Sequence, residues 1–267
     1  MTRLITDWIA DIETTARDLD REMQKKTGLS YAALAAKVGG YSVSDIDRAA
    51  QAIRIAAVPV TAGLGLIGSF AESVASIVRA AGFESFVTER TDVDGLWEAY
   101  ENGADIVYMA DDDRFISINL NKKKMANNDY ATAFGYTAAL EGALGSLVGK
   151  EILVLGCGTV GREFMKCLKK KGVTFAAYDI DRERLAEIKA EGISVVEASE
   201  EIRNYQYLMD ATNQGGWLHA DMLHPQVWIS APGVPLSLDR EALKLHEGRL
   251  IHDPLQIGVV SMLGLTL

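Results

Sequence analysis

The spacing of apolar positions divides the chain into a helical front and two stretches in which strands and helices alternate. Apolar residues recur at helical spacing over 2–25, and two shorter helical patterns follow. From Ile53 onward, β-branched apolar runs alternate with helical patterns, which is typical of an α/β fold. We therefore predict a helical N-terminal bundle over 1–52, a central α/β domain over 53–148 and a second α/β domain over 149–267.

The same pattern predicts individual elements within the two α/β stretches. Ser69 and Glu72 have the spacing of a capping box for a helix that ends near Ala81. The apolar run 255–267 predicts a helix that returns towards the first half of the chain. The other main predicted strands lie at 53–60, 83–87, 105–109, 115–120, 173–178, 193–196, 207–210, 227–229 and 250–251, and the other main helices at 92–102, 130–147, 160–171 and 182–190.

A glycine motif follows the buried strand predicted at 152–155. Gly156 allows a sharp turn, Gly158 allows close approach of a pyrophosphate, and Gly161 allows the following helix to pack on the strand. Asp179 ends the next strand, where a carboxylate can accept hydrogen bonds from ribose hydroxyls and repel a 2′-phosphate. The stretch 149–267 is therefore predicted to be a Rossmann domain that binds NAD. Its expected cofactor-binding residues are Gly156, Cys157, Gly158, Thr159, Val160, Gly161, Asp179, Ala211, Thr212 and Pro232.

A second Gly-x-Gly-x-x-Gly segment, over 63–68, competes for the same role. It lacks a compact turn straight from its strand, so we assign the cofactor to 156–161. Two interpretations of the 61–69 loop stay open: a tight strand–helix connection, or a site for a substrate anion at a helix N-terminus. Arg182 and Arg184 also leave the choice between NAD and NADP partly open.

Composition and charge restrict the partners. The chain has 267 residues, of which 48% are hydrophobic, and a net charge of −10 that argues against nucleic acid or an anionic membrane as a partner. Cys157 and Cys167 have neither disulfide nor zinc spacing, so we expect reduced thiols in the cytoplasm and no metal. The expected partner is a small-molecule substrate, with a homodimer as the candidate assembly.

Several polar side chains follow predicted strands. The acidic run 111–113 could bind a metal or an amine, or could be a solvated turn. Asp253 follows a strand end of the predicted cofactor domain and could be a cap for the following helix. Of the four histidines, only His252 lies at a strand end, and it is more typical of a structural position than of a catalytic one.

Unusual motifs outside the glycine fingerprint resemble those of the pyrrolysine synthase family. They are Pro59-Val-Thr-Ala-Gly-Leu-Gly-Leu-Ile-Gly-Ser-Phe-Ala-Glu-Ser73, Met109-Ala-Asp-Asp112 with Ala126-Asn-Asn128, Ser230-Ala-Pro-Gly-Val-Pro235, and Asp253-Pro-Leu-Gln-Ile-Gly258 with Ser261-Met-Leu263. The resemblance covers most of the chain from about residue 55 onward. Asp253 stands where the family often has glutamate, and Ala62 where it often has serine.

The resemblance implies a dehydrogenase that uses NAD. Its substrate would be lysine carrying 3-methylornithine in amide linkage on the side-chain nitrogen, oxidised at the carbon that bears the terminal ornithine amine. Ring closure onto the other ornithine amine, with loss of ammonia, would give pyrrolysine. The residues expected to meet the substrate are Asp111, in a catalytic role, and Leu4, Thr61, Ala62, Gly63, Phe70, Asn128, Asp253 and Ile257.

Two other functions stay open at this point. One is another NAD-dependent dehydrogenase, acting on an opine or a simple amino acid. The other is a non-catalytic NAD-sensing module. Clustered acids suit a cationic substrate with two amines, which favours an enzyme over a sensor.

Overall fold

The computed structural model describes residues 4–267 and divides into two compact units. Unit 1 comprises the chain up to Gly135 together with Pro254–Leu267. Unit 2 is the continuous segment Tyr136–Asp253. Within residues 4–267, no helix has the length and apolar character needed to cross a membrane.

Unit 1 contains a five-stranded mixed sheet and the helices around it. The helices up to residue 144 are α1 (Ile12–Thr27), α2 (Tyr31–Gly39), α3 (Val43–Ala50), α4 (Phe70–Ala80), α5 (Asp92–Glu101) and α6 (Asn128–Leu144). The strands are β1 (Arg54–Val58), β2 (Glu84–Val87), β3 (Ile106–Ala110), β4 (Phe115–Asn119) and β5 (Lys124–Asn127). Strand order is β2-β1-β3-β4-β5, parallel across the first three strands and antiparallel across the last two pairs.

Local chemistry sets the helix ends in the N-terminal region. The 2–25 prediction began its helix too early, because α1 starts at Ile12 after a 3₁₀ turn at Thr6–Trp8. Gly28 ends α1 in a left-handed conformation (φ 74°), and Ser42 begins α3 with a capping box to Asp45. The capping box predicted at Ser69 was wrong. Ser69 has a positive φ of 63° and makes no capping bond, since it ends a tight loop.

Unit 2 is a six-stranded parallel sheet with helices in its connections. Its strands are β6 (Glu151–Leu155), β7 (Thr174–Tyr178), β8 (Ser194–Val195), β9 (Tyr207–Asp210), β10 (Trp228–Ser230) and β11 (Leu250–Ile251). Its helices are α7 (Thr159–Lys170), α8 (Arg182–Ala190) and α9 (Arg240–His246). The order β11-β10-β9-β6-β7-β8 reverses direction at β6, as in the doubly wound dinucleotide-binding sheet. The predicted Rossmann architecture is confirmed.

The last helix, α10 (Gln256–Thr266), forms the centre of unit 1 although it comes last in the chain. Nearly every residue of α10 is buried. Close packing depends on small residues, since a Cβ on Gly264 would overlap the carbonyl oxygen of Ala35 in α2, and one on Gly135 in α6 would overlap the Ser261 hydroxyl. The helix predicted at 255–267 is confirmed.

Candidate functional site

The glycine loop of unit 2 connects β6 to α7 in one tight turn. Gly156 has a φ of 86°, a conformation that favours glycine, and its N–H donates to the Tyr178 carbonyl oxygen at 2.8 Å. Gly158 precedes α7 with no side-chain cap and with open space where a Cβ would stand. A Cβ on Gly161 would overlap the Gly156 carbonyl oxygen, so only glycine allows α7 to pack this closely.

Asp179 is buried and holds this loop to the next strand end. Its Oδ2 accepts a hydrogen bond from the Cys157 N–H at 2.6 Å, and its Oδ1 accepts from the Asp181 N–H at 2.8 Å. The predicted ribose acid therefore also fixes the shape of the glycine loop. Each carboxylate oxygen has a second lone pair, which keeps acceptor capacity for ribose hydroxyls.

The segment after β9 packs directly on the glycine loop. A Cβ on Gly156 would lie 3.1 Å from the Ala211 carbonyl carbon, and one on Gly233 would overlap the Thr212 carbonyl oxygen. Three segments that follow parallel strands thus meet at the carboxyl edge of the sheet, where such folds bind ligands. Ala211 and Thr212 lie in this edge, and Pro232 precedes Gly233 within it.

Asp210 organises this edge from inside the protein, and the sequence analysis missed it. Its Oδ1 accepts from the Thr212 N–H at 3.0 Å and from the Thr212 hydroxyl at 2.6 Å, and its Oδ2 contacts the Ser237 hydroxyl. Burial raises the pKa of the Asp210 carboxyl, while these hydrogen bonds oppose the rise. Its position at the end of β9 was the available sequence signal.

Aromatic side chains extend the same network. The Trp217 indole N–H donates to the Thr212 hydroxyl at 3.1 Å, and its ring stacks on Tyr178 with centroids 6.3 Å apart. Tyr178 ends β7 immediately before Asp179. The Trp217 contacts therefore link the segment after β9 to the strand that carries the ribose acid.

His252 and Asp253 follow β11 and are fixed through backbone contacts. His252 Nδ1 lies 2.7 Å from the Ala231 carbonyl oxygen, so Nδ1 carries the proton. The Tyr136 hydroxyl donates to the Asp253 carbonyl oxygen at 2.8 Å and accepts from the Asp253 N–H at 3.0 Å. The N-cap position of α10, the helix that follows, is Leu255.

These residues fit a bound dinucleotide. The first turn of α7 presents N–H groups without a side-chain cap, and Gly158 leaves room for a pyrophosphate against them. Asp179 stands at the end of β7, next to that turn, as the ribose requires. The strand order and the glycine conformations thus agree with the fingerprint in the sequence.

The glycine segment of unit 1 is organised differently, by carboxylates. The Thr61 N–H and hydroxyl donate to Asp92 at 2.8 and 2.6 Å, and the Leu64 N–H donates to Asp112 Oδ2 at 2.5 Å. A Cβ on Gly63 would overlap the Asp112 carboxylate. Carboxylates of this chain therefore fix the path of the loop at Thr61 and Leu64, whereas the first turn of α4 has no side-chain cap.

The acidic run 111–113 forms the turn between β3 and β4. Asp111 Oδ1 accepts from the N–H groups of Asp113 and Arg114 at 2.8 and 2.7 Å. Asp111 and Asp113 are exposed, whereas Asp112 is half-buried beside the 61–69 loop. Asp111 therefore has a structural role in the turn, and Asp112 contacts the loop predicted to meet substrate.

The other expected substrate residues are spread over unit 1. Phe70 packs edge-on against Phe115, with ring centroids 5.2 Å apart. A Cβ on Gly258 would lie 2.5 Å from Asn128 Oδ1, which brings Asn128 of α6 against α10. Ile257 is buried in α10, Leu4 is partly buried, and Ala62 is exposed.

Neither cysteine has the properties of a reactive group. Both thiols are free and buried. Burial, followed by the nearby Asp179 charge, raises the pKa of Cys157 to about 12, and burial raises the pKa of Cys167 to about 11. Over the described part of the chain, no group of three or more His, Cys, Asp or Glu side chains could hold a metal ion.

Comparison with known proteins identifies the relatives of this chain. A family profile described as "Pyrrolysine biosynthesis protein PylD, N-terminal domain" matches residues 9–126. The pyrrolysine synthase of Methanosarcina barkeri is 33% identical over 265 residues, which cover 98% of this chain and 97% of that protein. The pyrrolysine synthase of Methanosarcina acetivorans is 36% identical over 211 residues, or 79% of this chain and 81% of that protein.

Solved structures support the fold. A shikimate dehydrogenase in complex with NADP+ aligns over 80% of this chain and 89% of its own, with a TM-score of 0.52 and 14% identity. Shikimate 5-dehydrogenase from Thermus thermophilus, in complex with NADP(H) and shikimate, covers 79% and 90% of the two chains, with a TM-score of 0.50 and 17% identity. The family resemblance found in the sequence is confirmed: the chain has the fold of the shikimate dehydrogenases and belongs to the pyrrolysine synthase family.

Proposed function

We propose that this chain catalyses the NAD-dependent oxidation of lysine-Nε-3-methylornithine, followed by ring closure to pyrrolysine with loss of ammonia. The observation that carries the proposal is the dinucleotide fingerprint of unit 2 in a chain that aligns over 98% of its length with a pyrrolysine synthase. Bound NAD+ would supply the hydride acceptor. The residues of this chain hold, orient and shield the reactants.

Asp179 supports NAD rather than NADP as the cofactor. Its carboxylate is buried at the end of β7 and is fixed by the Cys157 and Asp181 N–H groups. A carboxylate held in this position accepts hydrogen bonds from ribose hydroxyls and repels a 2′-phosphate. The expected contacts of the pyrophosphate are the loop 156–161 and the start of α7, beside Ala211, Thr212 and Pro232.

The charge of the proposed substrate indicates which residues of this chain would hold it. The 3-methylornithine part carries two amines, which carboxylates and amide oxygens suit as partners. The Asp111 turn uses Oδ1, which leaves Oδ2 for an amine. Asn128 and Asp253 are proposed as further polar contacts, and the less polar expected contacts are Leu4, Thr61, Ala62, Gly63, Phe70 and Ile257.

Oxidation at an amine carbon needs the amine in its uncharged form. A neighbouring carboxylate stabilises the ammonium form, so the acids orient the amines rather than promote their deprotonation. Asp111 is proposed to accept the proton that the second ornithine amine releases during ring closure, because it is exposed and can pass that proton to water. The ring then closes when the second ornithine amine attacks the oxidised carbon, and ammonia leaves.

Formation of NADH, followed at its absorbance band, tests this reaction. The isopeptide should give NADH and a product lighter by ammonia and two hydrogens, whereas free ornithine, lysine and opines should not. Turnover with a free amino acid and none with the isopeptide would instead support a different amino-acid dehydrogenase. Cofactor binding without turnover on any amine would support a sensing module.

A matched pair of variants tests the substrate residues. Asp111→Asn keeps an oxygen for the turn but removes the charge, and we expect turnover to fall about 100-fold with NAD affinity unchanged. Asp113→Asn removes the same charge two residues away and should leave turnover intact. Normal kinetics for Asp111→Asn would return this residue to a purely structural role.

Two further expectations concern the whole protein. The two unreactive thiols suit a reducing compartment, and we propose the cytoplasm.

We also propose that the protein forms a homodimer. Light scattering across a concentration series would measure its mass, and a constant monomer mass would contradict the dimer.

A further inference from the structure

Three arginines lie in the two helices that follow β6 and β7, Arg162 in α7 and Arg182 and Arg184 in α8, and each is engaged by this chain. Arg162 makes 2.7 Å ion pairs with Glu187 and Glu191. The Arg182 guanidinium donates to the Glu197 carbonyl oxygen at 2.7 Å. The basic side chains near the proposed ribose acid are thus bound to acceptors in the protein.

Asp181 is the acceptor that engages Arg184. The Arg184 Nε lies 3.2 Å from Asp181 Oδ2. Asp181 also caps α8, because its Oδ1 accepts from the N–H groups of Glu183 and Arg184 at 3.0 and 3.2 Å. One carboxylate therefore engages both the first N–H groups of a helix and a guanidinium.

These donors are the ones that a 2′-phosphate would require. Phosphates bind to N–H groups at helix N-termini and to arginine forks. The Asp181 N–H donates to Asp179 Oδ1 at 2.8 Å, so the cap of α8 lies directly beside the proposed ribose acid. A phosphate on the ribose 2′ oxygen would meet the Asp181 charge where it needs positive charge.

We infer that Asp181 is a specificity-determining residue that excludes the 2′-phosphate of NADP by occupying the N-terminus of α8 and Arg184. The inference rests on the proposed binding of the cofactor at 156–161 and names a second determinant beside Asp179. Asp179 would bind the ribose hydroxyls, whereas Asp181 occupies the N–H groups of α8 and the Arg184 guanidinium that would otherwise bind a phosphate. Asp179 and Asp181 both follow strand β7 in the sequence.

The substitution Asp181→Asn isolates this role. Asn caps helices about as well as Asp, so α8 should keep its start. It carries no charge and cannot form an ion pair, which releases Arg184. Asp181→Ser also retains a cap and provides a second variant if the first unfolds. Asp221→Asn, an exposed acid in the turn before β10, is the matched control for net charge.

Calorimetric titration with two small probes tests the inference without any turnover. The probes are adenosine 5′-monophosphate and adenosine 2′,5′-bisphosphate, which differ by the phosphate in question. We expect Asp181→Asn to bind the bisphosphate about tenfold more tightly, with monophosphate affinity changed less than about twofold. Adding Arg184→Gln should remove the gain, and Asp221→Asn should show none.

The outcomes separate the inference from the proposed function. NAD binding by the original chain, with no gain in bisphosphate affinity for either Asp181→Asn or Asp181→Ser, would overturn the role of Asp181 alone. A gain that survives Arg184→Gln would overturn the part assigned to Arg184. Failure of the original chain to bind NAD would contradict the cofactor site itself.

Discussion

Two loops of this protein share one glycine pattern and have different physical organisation. In the 156–161 loop, glycine is required by close backbone approach, because a Cβ on Gly161 would overlap the Gly156 carbonyl oxygen. In the 61–69 loop, the nearest atoms to a Cβ on Gly68 would belong to the Thr6 side chain, at 3.2 Å or more. The last glycine of the motif is therefore strictly required in unit 2 and only loosely required in unit 1.

In both loops, carboxylates of this chain bind backbone N–H groups. Asp92 and Asp112 bind N–H groups early in the 61–69 loop, and Asp179 binds the Cys157 N–H of the 156–161 loop. Neither α4 nor α7 has a side-chain cap, so the carboxylates and the helix starts do not distinguish the two loops. The comparison teaches that the Gly-x-Gly-x-x-Gly spacing indicates a dinucleotide site when its last glycine packs the following helix against the backbone of the loop.

The strongest test exchanges the last glycine of each motif for alanine. Gly161→Ala should lower the free energy of unfolding by about 3 kcal/mol and abolish NAD binding, because α7 must move away from the loop. Gly68→Ala should cost less than about 1 kcal/mol, since the Thr6 side chain can shift. Chemical denaturation and NAD titration measure both. Equal effects of the two changes would contradict the distinction between the loops.

The second test removes one carboxylate from each loop. Asp179→Ala leaves the Cys157 N–H without its buried acceptor, so we expect about 2 kcal/mol lower stability and at least about tenfold weaker NAD binding. Asp112→Ala should weaken substrate binding and leave NAD affinity unchanged. Fluorescence titration with NAD and steady-state kinetics separate the two. Reduced NAD affinity for Asp112→Ala would show that the 61–69 loop contributes to the cofactor site.

A third test concerns pH and the segment packed on the 156–161 loop. Burial raises the folded-state pKa of Asp210 above its ordinary 3.8. The stability that this group contributes is therefore present below 3.8 and declines as the pH rises from there through the folded-state pKa. We expect the melting temperature of Asp210→Asn, relative to the original chain, to improve as the pH rises above about 4.

Melting curves at several pH values, with Asp221→Asn as the exposed control, measure this effect. The control should keep a nearly constant offset across the same range. A relative melting temperature for Asp210→Asn that falls as the pH rises would have the wrong sign and would contradict the raised pKa.

The smallest expected effect concerns the thiol inside the motif. Because the pKa of Cys157 is raised to about 12, its thiol stays protonated at about pH 8 and should not react with iodoacetamide in the folded protein. Mass spectrometry should detect labelling only after denaturation. Rapid labelling of the native protein would show that the 156–161 loop opens, and that its tight packing is not maintained.

The sequence predicted the repeating elements of unit 2 well. Helix 182–190 and strands 207–210 and 250–251 lie at the expected residues, because each carries buried apolar side chains and ends next to polar or glycine residues. One strand of unit 1, β5, and one α-helix of unit 2, α9, were not predicted. Strand β5 has exposed Lys124 and Met125 and little apolar alternation, and α9 is a short helix of mixed composition.

Side-chain partners were harder to predict than elements. The family resemblance selected Asp111 in the acidic run, and nothing in the sequence indicated that its neighbour Asp112 contacts the 61–69 loop. Asp92 and Asp210 could not be found from spacing, since each partners a residue that only the fold brings close, such as Thr61 or Ser237. A position at a strand end limits which residues can belong to a site, but only the tertiary structure shows which side chain makes each contact.

The placement of α10 has a consequence for the order in which the protein can fold during synthesis. Unit 2 is one continuous segment and is complete once residue 253 has left the ribosome. Unit 1 lacks its central helix until Gln256–Thr266 has been made, although its sheet was synthesised first. The apolar surfaces of unit 1 that pack on α10 therefore stay exposed while all of unit 2 is synthesised. This makes unit 1 the part of the nascent chain most exposed to aggregation.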